Sequence, residues 1–313
     1  MVQGEIRKNT TPNVNYSNNI KKFISRNKGY FFILPAVLFM LVFLGYPIIY
    51  NFTLSFQDVN VMNISGEKTF VALQNYINLF KDPVFRESLY NTLYFTCFSM
   101  ALQFVLGFAF ALFFNLDFEL AKFSRGLLMI AWVLPATVVA LAGKLMFTAE
   151  GGIINEILIQ LNLIKEPIQW LLEPKTAMWS LILTNVWLGI PFNMILLTTG
   201  LSTIPKSIYE SASLDGANWW HRLVYITIPS IKPAIMAVLM LGFIYTFKVF
   251  DLVFVLTKGG PVNSTEVLST LSYRYSFDQF AFSNGSTVAN VLFLILFVVS
   301  LLYLKMMGKD EVI

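Results

Sequence analysis

Six long apolar runs separated by polar segments set the pattern of the chain: 30–56, 88–115, 123–148, 176–201, 231–257 and 286–307. Each has the roughly 20 residues that a helix needs to cross the hydrocarbon of a bilayer. The pattern therefore predicts an all-α membrane protein with six transmembrane helices in one domain over 30–308, preceded by an Asn-rich polar tail over 1–29. The first run is too long for the apolar core of a signal peptide and is followed by no small-x-small cleavage site, so it is expected to stay in the mature chain. Pro35, Gly45 and Pro47 predict bends in it, which membrane helices tolerate when neighbours or waters replace the lost backbone partners. The connections are unequal: 116–122 is short, 149–175 contains the amphipathic piece GGIINEILIQLNLI, and 202–230 holds the longest polar cluster of the second half.

Within 202–230 the pattern changes to a short amphipathic one. Ile204, Ile208 and Ala212 recur every four residues, with Lys206, Glu210 and Ser213 on the opposite face, which predicts a helix. Pro205 suits its first turn and Gly216 the left-handed position that ends it. Asp215 sits badly at the negative end of that helix, at a cost of about 0.3–1 kcal/mol, unless it caps a second helix bearing Trp219, Leu223 and Ile226. The segment reads as helix, glycine turn, helix, closed by Pro229 and Pro233.

Composition sharpens the class. Of 313 residues 56% are hydrophobic and only 13% charged, against about 25% charged in ordinary soluble domains. The charge matters by position. With the N-terminus inside, thirteen Lys and Arg fall on the inner side and seven outside, with Lys144 and Lys248 in the spans. That bias predicts an N-in, C-in topology with 202–230 in the cytoplasm. A lone cysteine, Cys97, forms no intrachain disulfide and is expected to be a small packing residue.

Catalysis has little to work with. His221 is the sole histidine, so no His-based metal cluster or nucleophile-His site can be assembled, and no phosphate-binding GxxxxGK[ST] loop occurs. The chain is not expected to be an enzyme or to bind a cofactor, and any ATP that drives it is hydrolysed by another chain. Lys248 and Asp251 are the charges that most need an explanation inside a span. At i and i+3 they can meet each other, as a polar lining of the outer pathway or as a structural ion pair. Asn185, Trp187, Pro191, Phe192 and Asn193 offer amides for hydroxyl groups and an aromatic face for a sugar's C–H surface, while interhelical packing explains the asparagines more simply.

Glu210, Ala212, Asp215, Gly216, Ala217, Ile226, Pro229 and Pro233 match in type and spacing the cytoplasmic EAA loop of ABC importer permeases, which the segment resembles, with Ser211 standing where that family usually has Ala. Leu223 and Ile228 are two further mild departures. The resemblance implies that the loop is a coupling element that docks on an ATPase subunit. Asn75, Tyr76, Asp82, Pro83, Phe85, Asn91 and Thr92, and then Phe250, Asp251, Leu256, Thr257, Gly259, Gly260 and Pro261, are similar to the carbohydrate-type permeases, relatives of the maltose and glycerol-phosphate transporters. What the resemblance implies is a subunit of the bacterial inner membrane, surrounded by lipid, that moves a sugar or sugar-like solute. Its implied partners are a second permease, two ATPase subunits that hold ATP and Mg, and an extracytoplasmic solute-binding protein, with no nucleic acid. The rival expectation is a self-sufficient channel or ion-coupled carrier. It needs a deep coupling acid, for which Asp251 is the clearest candidate, and an inverted repeat, of which no trace is visible.

Overall fold

A computed structural model describes residues 28–116 and 119–307 of the chain. The expected tail lies outside the described residues except for its last two. The first unit is a helix by itself. It comprises α1 (Lys28–Met40), a π-turn over Leu41–Gly45 in which the Tyr46 N–H reaches back to the Leu41 carbonyl, and α2 (Tyr46–Ser55). The wide turn opens the backbone just before Pro47, where proline removes a hydrogen bond and crowds the carbonyl four residues back. Side chains from Phe32 to Leu44 are exposed, whereas Asn51, Phe52 and Leu54 are half-buried and Ser55, at the end of α2, is buried.

The second unit begins with a two-residue antiparallel pairing of β1 (Gln57–Asp58) with β2 (Thr69–Phe70) and a short helix, α3 (Gln74–Lys81). Its two longest central helices are α4 (Pro83–Phe114) and α8 (Pro174–Ser202), which pack on each other. Around them lie α5 (Ala121–Val133), α6 (Ala136–Met146), α7 (Ile153–Gln160), α9 (Lys206–Leu214), α10 (Trp219–Ser230), α11 (Lys232–Phe247), α12 (Asp251–Leu256), α13 (Leu268–Tyr273) and α14 (Phe282–Met307). One apolar core joins Phe95, Leu181, Ile182 and Leu252. A second joins Phe85, Phe247, Leu271 and Val288, and a third Ala111, Met194, Leu197 and Ile231.

Four described helices are long and apolar enough to span a bilayer, and two bent pairs bring the count to six if each pair is one span. Here the structure corrects the sequence. The run 123–148, expected as one helix, turns by 100° between α5 and α6 at Leu134–Pro135. Pro135 has no N–H to offer a continuing helix and forces the preceding residue out of the helical region, and Leu134 is extended, with ψ of 141°. The run 231–257 ends as a helix at Phe247 and restarts at Asp251, and its first helix meets α10 at 69°. The two short helices beyond the breaks, α6 and α12, pack against each other.

A polar seam fastens the segment after α12 to α4. Asp82 caps α4 by accepting from the Val84 N–H at 2.9 Å and receives the Tyr275 hydroxyl. Asn91 donates to the carbonyls of Asn263 and Glu266, and the Leu268 N–H donates to Thr92 Oγ1 at 2.9 Å. Glu266, almost fully buried, pairs with Arg274 at 2.9 Å, and Arg274 also donates to Asn263 Oδ1 at 2.7 Å. Several residues of the 75–92 resemblance thus do structural work. Cys97, expected as packing, is exposed on α4.

Candidate functional site

The two helix breaks open onto one cavity of about 430 Å³. Trp132, Leu134 and Ala136 line it from the first break, and Lys248, Val249, Phe250 and Asp251 from the second. Its floor is the seam of α4 and α8, which contributes Gln103, Asn185, Gly189, Phe192 and Asn193, and α11 adds Gly242, Tyr245 and Thr246. Interrupted helices at membrane depth are tolerated where they line a cavity, because the freed backbone groups find partners there.

Three amides converge on this space. Gln103, 5% exposed, donates its Nε2 to the Asn185 carbonyl at 2.9 Å, and Asn193 donates to the Gly189 carbonyl at 2.8 Å. Asn185 is 6% exposed, yet its Nδ2 has no hydrogen-bond partner among the described residues. A buried donor left unpaired costs about 1–3 kcal/mol, and a ligand oxygen in the cavity offsets that cost. The position of Gln103 depends on Gly189, since a Cβ there would lie 2.3 Å from the Gln103 amide carbon.

Aromatic rings form a contiguous wall beside the amides. Trp132 and Phe192 have centroids 6.0 Å apart, Phe192 meets Tyr245 edge-on at 6.0 Å, and Lys248 Nζ lies 5.5 Å from the Tyr245 ring centre. Lys248 and Asp251, expected as a possible ion pair, do not form one among the described residues. Each instead sits at a helix end of complementary sign, with Lys248 closing α11 and Asp251 in the first turn of α12, where the helix dipoles favour a cation and an anion respectively. Five of the seven residues expected along the pathway, Asn185, Phe192, Asn193, Lys248 and Asp251, therefore share the cavity, and Pro191 lines a separate pocket. Trp187 does not share the cavity either. It points to the other side of α8, against Leu127, Leu128 and Ala131, because residues 187 and 185 lie some 200° apart around a helix. Gln103, Trp132 and Tyr245 join the site without having been singled out by the sequence, and Phe250, named there only for the resemblance, lines it as well. Amides that bond hydroxyls and rings that cover C–H surfaces suit binding and release of a polar organic solute. No cluster of metal-ligating side chains occurs among the described residues.

The second candidate element is the helix-turn-helix of α9 and α10. Gly216 takes φ of +77°, and the N–H of Ala217 reaches the Ala212 carbonyl at 2.9 Å, so the chain reverses through a left-handed residue. Asp215 does not cap α10. Asn218 does, accepting from the His221 N–H at 2.9 Å, because it is the residue next to the first turn. The arms are tied by Tyr209 to Thr227 at 2.9 Å and by Arg222 to Ser213 at 3.1 Å. Glu210, Ser211 and Pro229 are exposed, while Ala212, Ala217 and Ile226 are half-buried against the hairpin. Of the expected packed face, Ile204 and Ala212 are half-buried while Ile208 is exposed, and Tyr209 faces inward in its place. This hairpin runs directly into α11.

Residues 103–306 match the family described as "Binding-protein-dependent transport system inner membrane component". The chain is 33% identical over 285 residues to the trehalose/maltose transport system permease protein MalF of Thermococcus litoralis, covering 91% of this chain and 95% of that protein. It is 30% identical over 278 residues to the sulfoquinovosyl glycerol transport system permease protein SmoG of Agrobacterium fabrum, covering 88% and 89%. Its fold is similar to a chain of a bacterial ABC transporter involved in the import of the acidic polysaccharide alginate, with a TM-score of 0.79, 22% identity, and coverage of 93% of this chain and 99% of that one.

Proposed function

The chain belongs to the family of binding-protein-dependent transport system inner membrane components, and from that premise we propose that its cavity carries a sugar or sugar-like solute under control of the α9–α10 hairpin. It is a permease of the sugar-importing ABC class and a multi-pass membrane protein. On our reading the two bent pairs are single spans, giving six, with both termini and the hairpin in the cytoplasm. A second permease chain completes the pathway, two ATPase subunits hold ATP and Mg, and an extracytoplasmic binding protein delivers the solute. The cavity offers amides and aromatic faces of the kind a carbohydrate requires, within the size range of small-molecule sites.

One observation carries the mechanism: α11 is attached to the hairpin at its start, Lys232, and forms a cavity wall at its far end, through Gly242, Tyr245, Thr246 and Lys248. Its length of about 24 Å makes it a lever. Closure of the ATPase subunits moves α9, the tied hairpin moves with it, and α11 tilts. The tilt shifts Tyr245 and Lys248 against the fixed seam of α4 and α8, so the cavity changes its opening with the nucleotide state. The ties between the arms keep the push from being lost in bending.

The test is uptake by proteoliposomes holding the chain with its partners, ATP inside, and a panel of labelled sugars offered with the binding protein. Asn185→Leu keeps the side-chain volume and removes the unpaired donor. Its uptake is expected to fall about ten-fold, the equivalent of one hydrogen bond of about 1.4 kcal/mol. Uptake that persists without ATP, or is untouched by this substitution, contradicts the proposal.

A further inference from the structure

The arm α10 leaves one face without a partner. Trp220, Val224 and Ile228 follow at four-residue spacing, with Trp219 and Tyr225 beside them, and all five are exposed, Trp220 at 66% and Tyr225 at 73%. Trp219 and Trp220 meet edge-on at 4.6 Å, and His221 stacks on Tyr225 at 6.1 Å. Opposite to them, Thr227 is buried and Leu223 and Ile226 are half-buried. The arm is thus a second amphipathic element in which the outward face is the apolar one.

We propose that this face is an anchor in the lipid headgroup layer, and that α10 lies in the membrane interface while α9 projects from it into water. Three observations on the arm agree. First, α10 meets α11 at 69°, so when α11 stands in the bilayer with an ordinary tilt, α10 runs close to the membrane plane. The apolar face is then continuous with the lipid-exposed surface of the span it leads into. Second, the exposed residue types are Trp and Tyr, whose rings settle at the headgroup level because one end is apolar and the other polar. Third, no acidic residue occurs between Gly216 and Phe250, so nothing on the arm repels anionic headgroups. The exposed face of α9 is of the opposite kind, with Lys206, Ser207, Glu210, Ser211 and Ser213, and suits a water-soluble protein. The hairpin therefore separates two contacts across Gly216: protein on one arm, lipid on the other. An anchored α10 supplies the pivot about which a push on α9 becomes a tilt of α11.

The proposal rests on α11 being a span, and its test reads depth directly. Nitroxide labels are placed at Val224→Cys and, separately, Ser211→Cys, in a Cys97→Ser background of the assembled complex. The complex is held in nanodiscs of phosphatidylethanolamine and phosphatidylglycerol. Collision with oxygen, which partitions into lipid, and with a water-soluble nickel chelate is measured at each site. The expected result is that oxygen dominates at position 224, while at 211, which faces the ATPase subunit, oxygen gains no such excess over nickel. Nickel dominance at 224 places the face in water and overturns the proposal. Exclusion of both reagents at 224 means that a protein subunit covers it and overturns the proposal equally. ATP hydrolysis by the same labelled complexes reads the coupling function separately, so loss of coupling with lipid contact intact would count against the proposed function and not against the anchor.

Discussion

Gln103 donates its side-chain amide to the Asn185 carbonyl at 2.9 Å, across the seam of α4 and α8 and directly over Gly189. The bond joins two central helices at the floor of the cavity and holds one of its three amides in place. A methyl group on residue 189 would have to share space with the Gln103 amide, whose nitrogen lies 2.5 Å from the added carbon.

Gly189→Ala is therefore expected to destabilise the subunit by about 1–3 kcal/mol, as overpacking does, and to reduce sugar uptake. Gly189→Ala combined with Gln103→Ala restores the volume, and its melting temperature is expected to recover while uptake does not. Thermal unfolding of the detergent-solubilised complex checks the first part and proteoliposome uptake the second. Equal loss in the single and double variants would show that the close approach is not the cause.

Lys248 and Asp251 face the same cavity and are each accommodated by a helix end. The effects of Lys248→Ala and Asp251→Ala on stability are accordingly expected to add, with a coupling below about 0.5 kcal/mol in a double-mutant cycle. A true ion pair would show recovery in the double variant, because removal of the second charge relieves the first.

Burial pushes the Glu266 carboxyl above its ordinary value of 4.5, with the Thr270 hydroxyl and Arg274 pulling the other way and Asp278 adding to the rise. The folded chain then holds this proton more tightly than the unfolded chain. Stability linked to it is fully present below about pH 4.5 and is lost as pH rises through the raised folded value. Glu266→Gln has no such proton. The stability of the wild type relative to this variant should fall as pH rises from 4.5, as followed by thermal unfolding across the range. Parallel curves for the two proteins would contradict it.

Orientation can be read with impermeant thiol reagents in intact cells, after Cys97→Ser removes the exposed native thiol. Ser213→Cys is expected to be protected and Val262→Cys, at a residue 85% exposed beyond α12, to be labelled. The reverse pattern would put the hairpin out of reach of any ATPase.

The hairpin was legible because its devices are local. A glycine after a short amphipathic run and a polar residue before the next one specify a turn and a cap within a few residues, although the cap is Asn218 and not the expected Asp215, and Ile208 faces outward. The breaks were not legible. Both fall inside runs that are apolar almost all round, where periodicity has no face to lose. Proline is an ambiguous sign there, since Pro135 turns the chain while Pro191 sits inside an unbroken α8. The cavity was legible in part: asparagines and charges stand out in an apolar run, but Gln103, Trp132 and Tyr245 belong to three different runs that only packing brings together. Glu266 carried no signal of its own, because its burial is produced by Arg274 and by the fold of the segment around it.

The measurement closest to the central claim is ATP hydrolysis by the assembled complex with Glu210→Lys. Glu210 is exposed on α9, and Lys206 precedes it by one turn in the weaker orientation for a helix pair, so an intrahelical bridge of about 0.2–0.5 kcal/mol is a poor reason for an acid at this position. A polar or basic groove on the ATPase subunit is a better one, and charge reversal sets a repulsive contact into it. The account predicts that Glu210→Lys inserts and is produced like the wild type, while solute-stimulated ATP hydrolysis is lost. If the variant couples and transports like the wild type, the hairpin is not the element that links ATP to the cavity, and the account is contradicted.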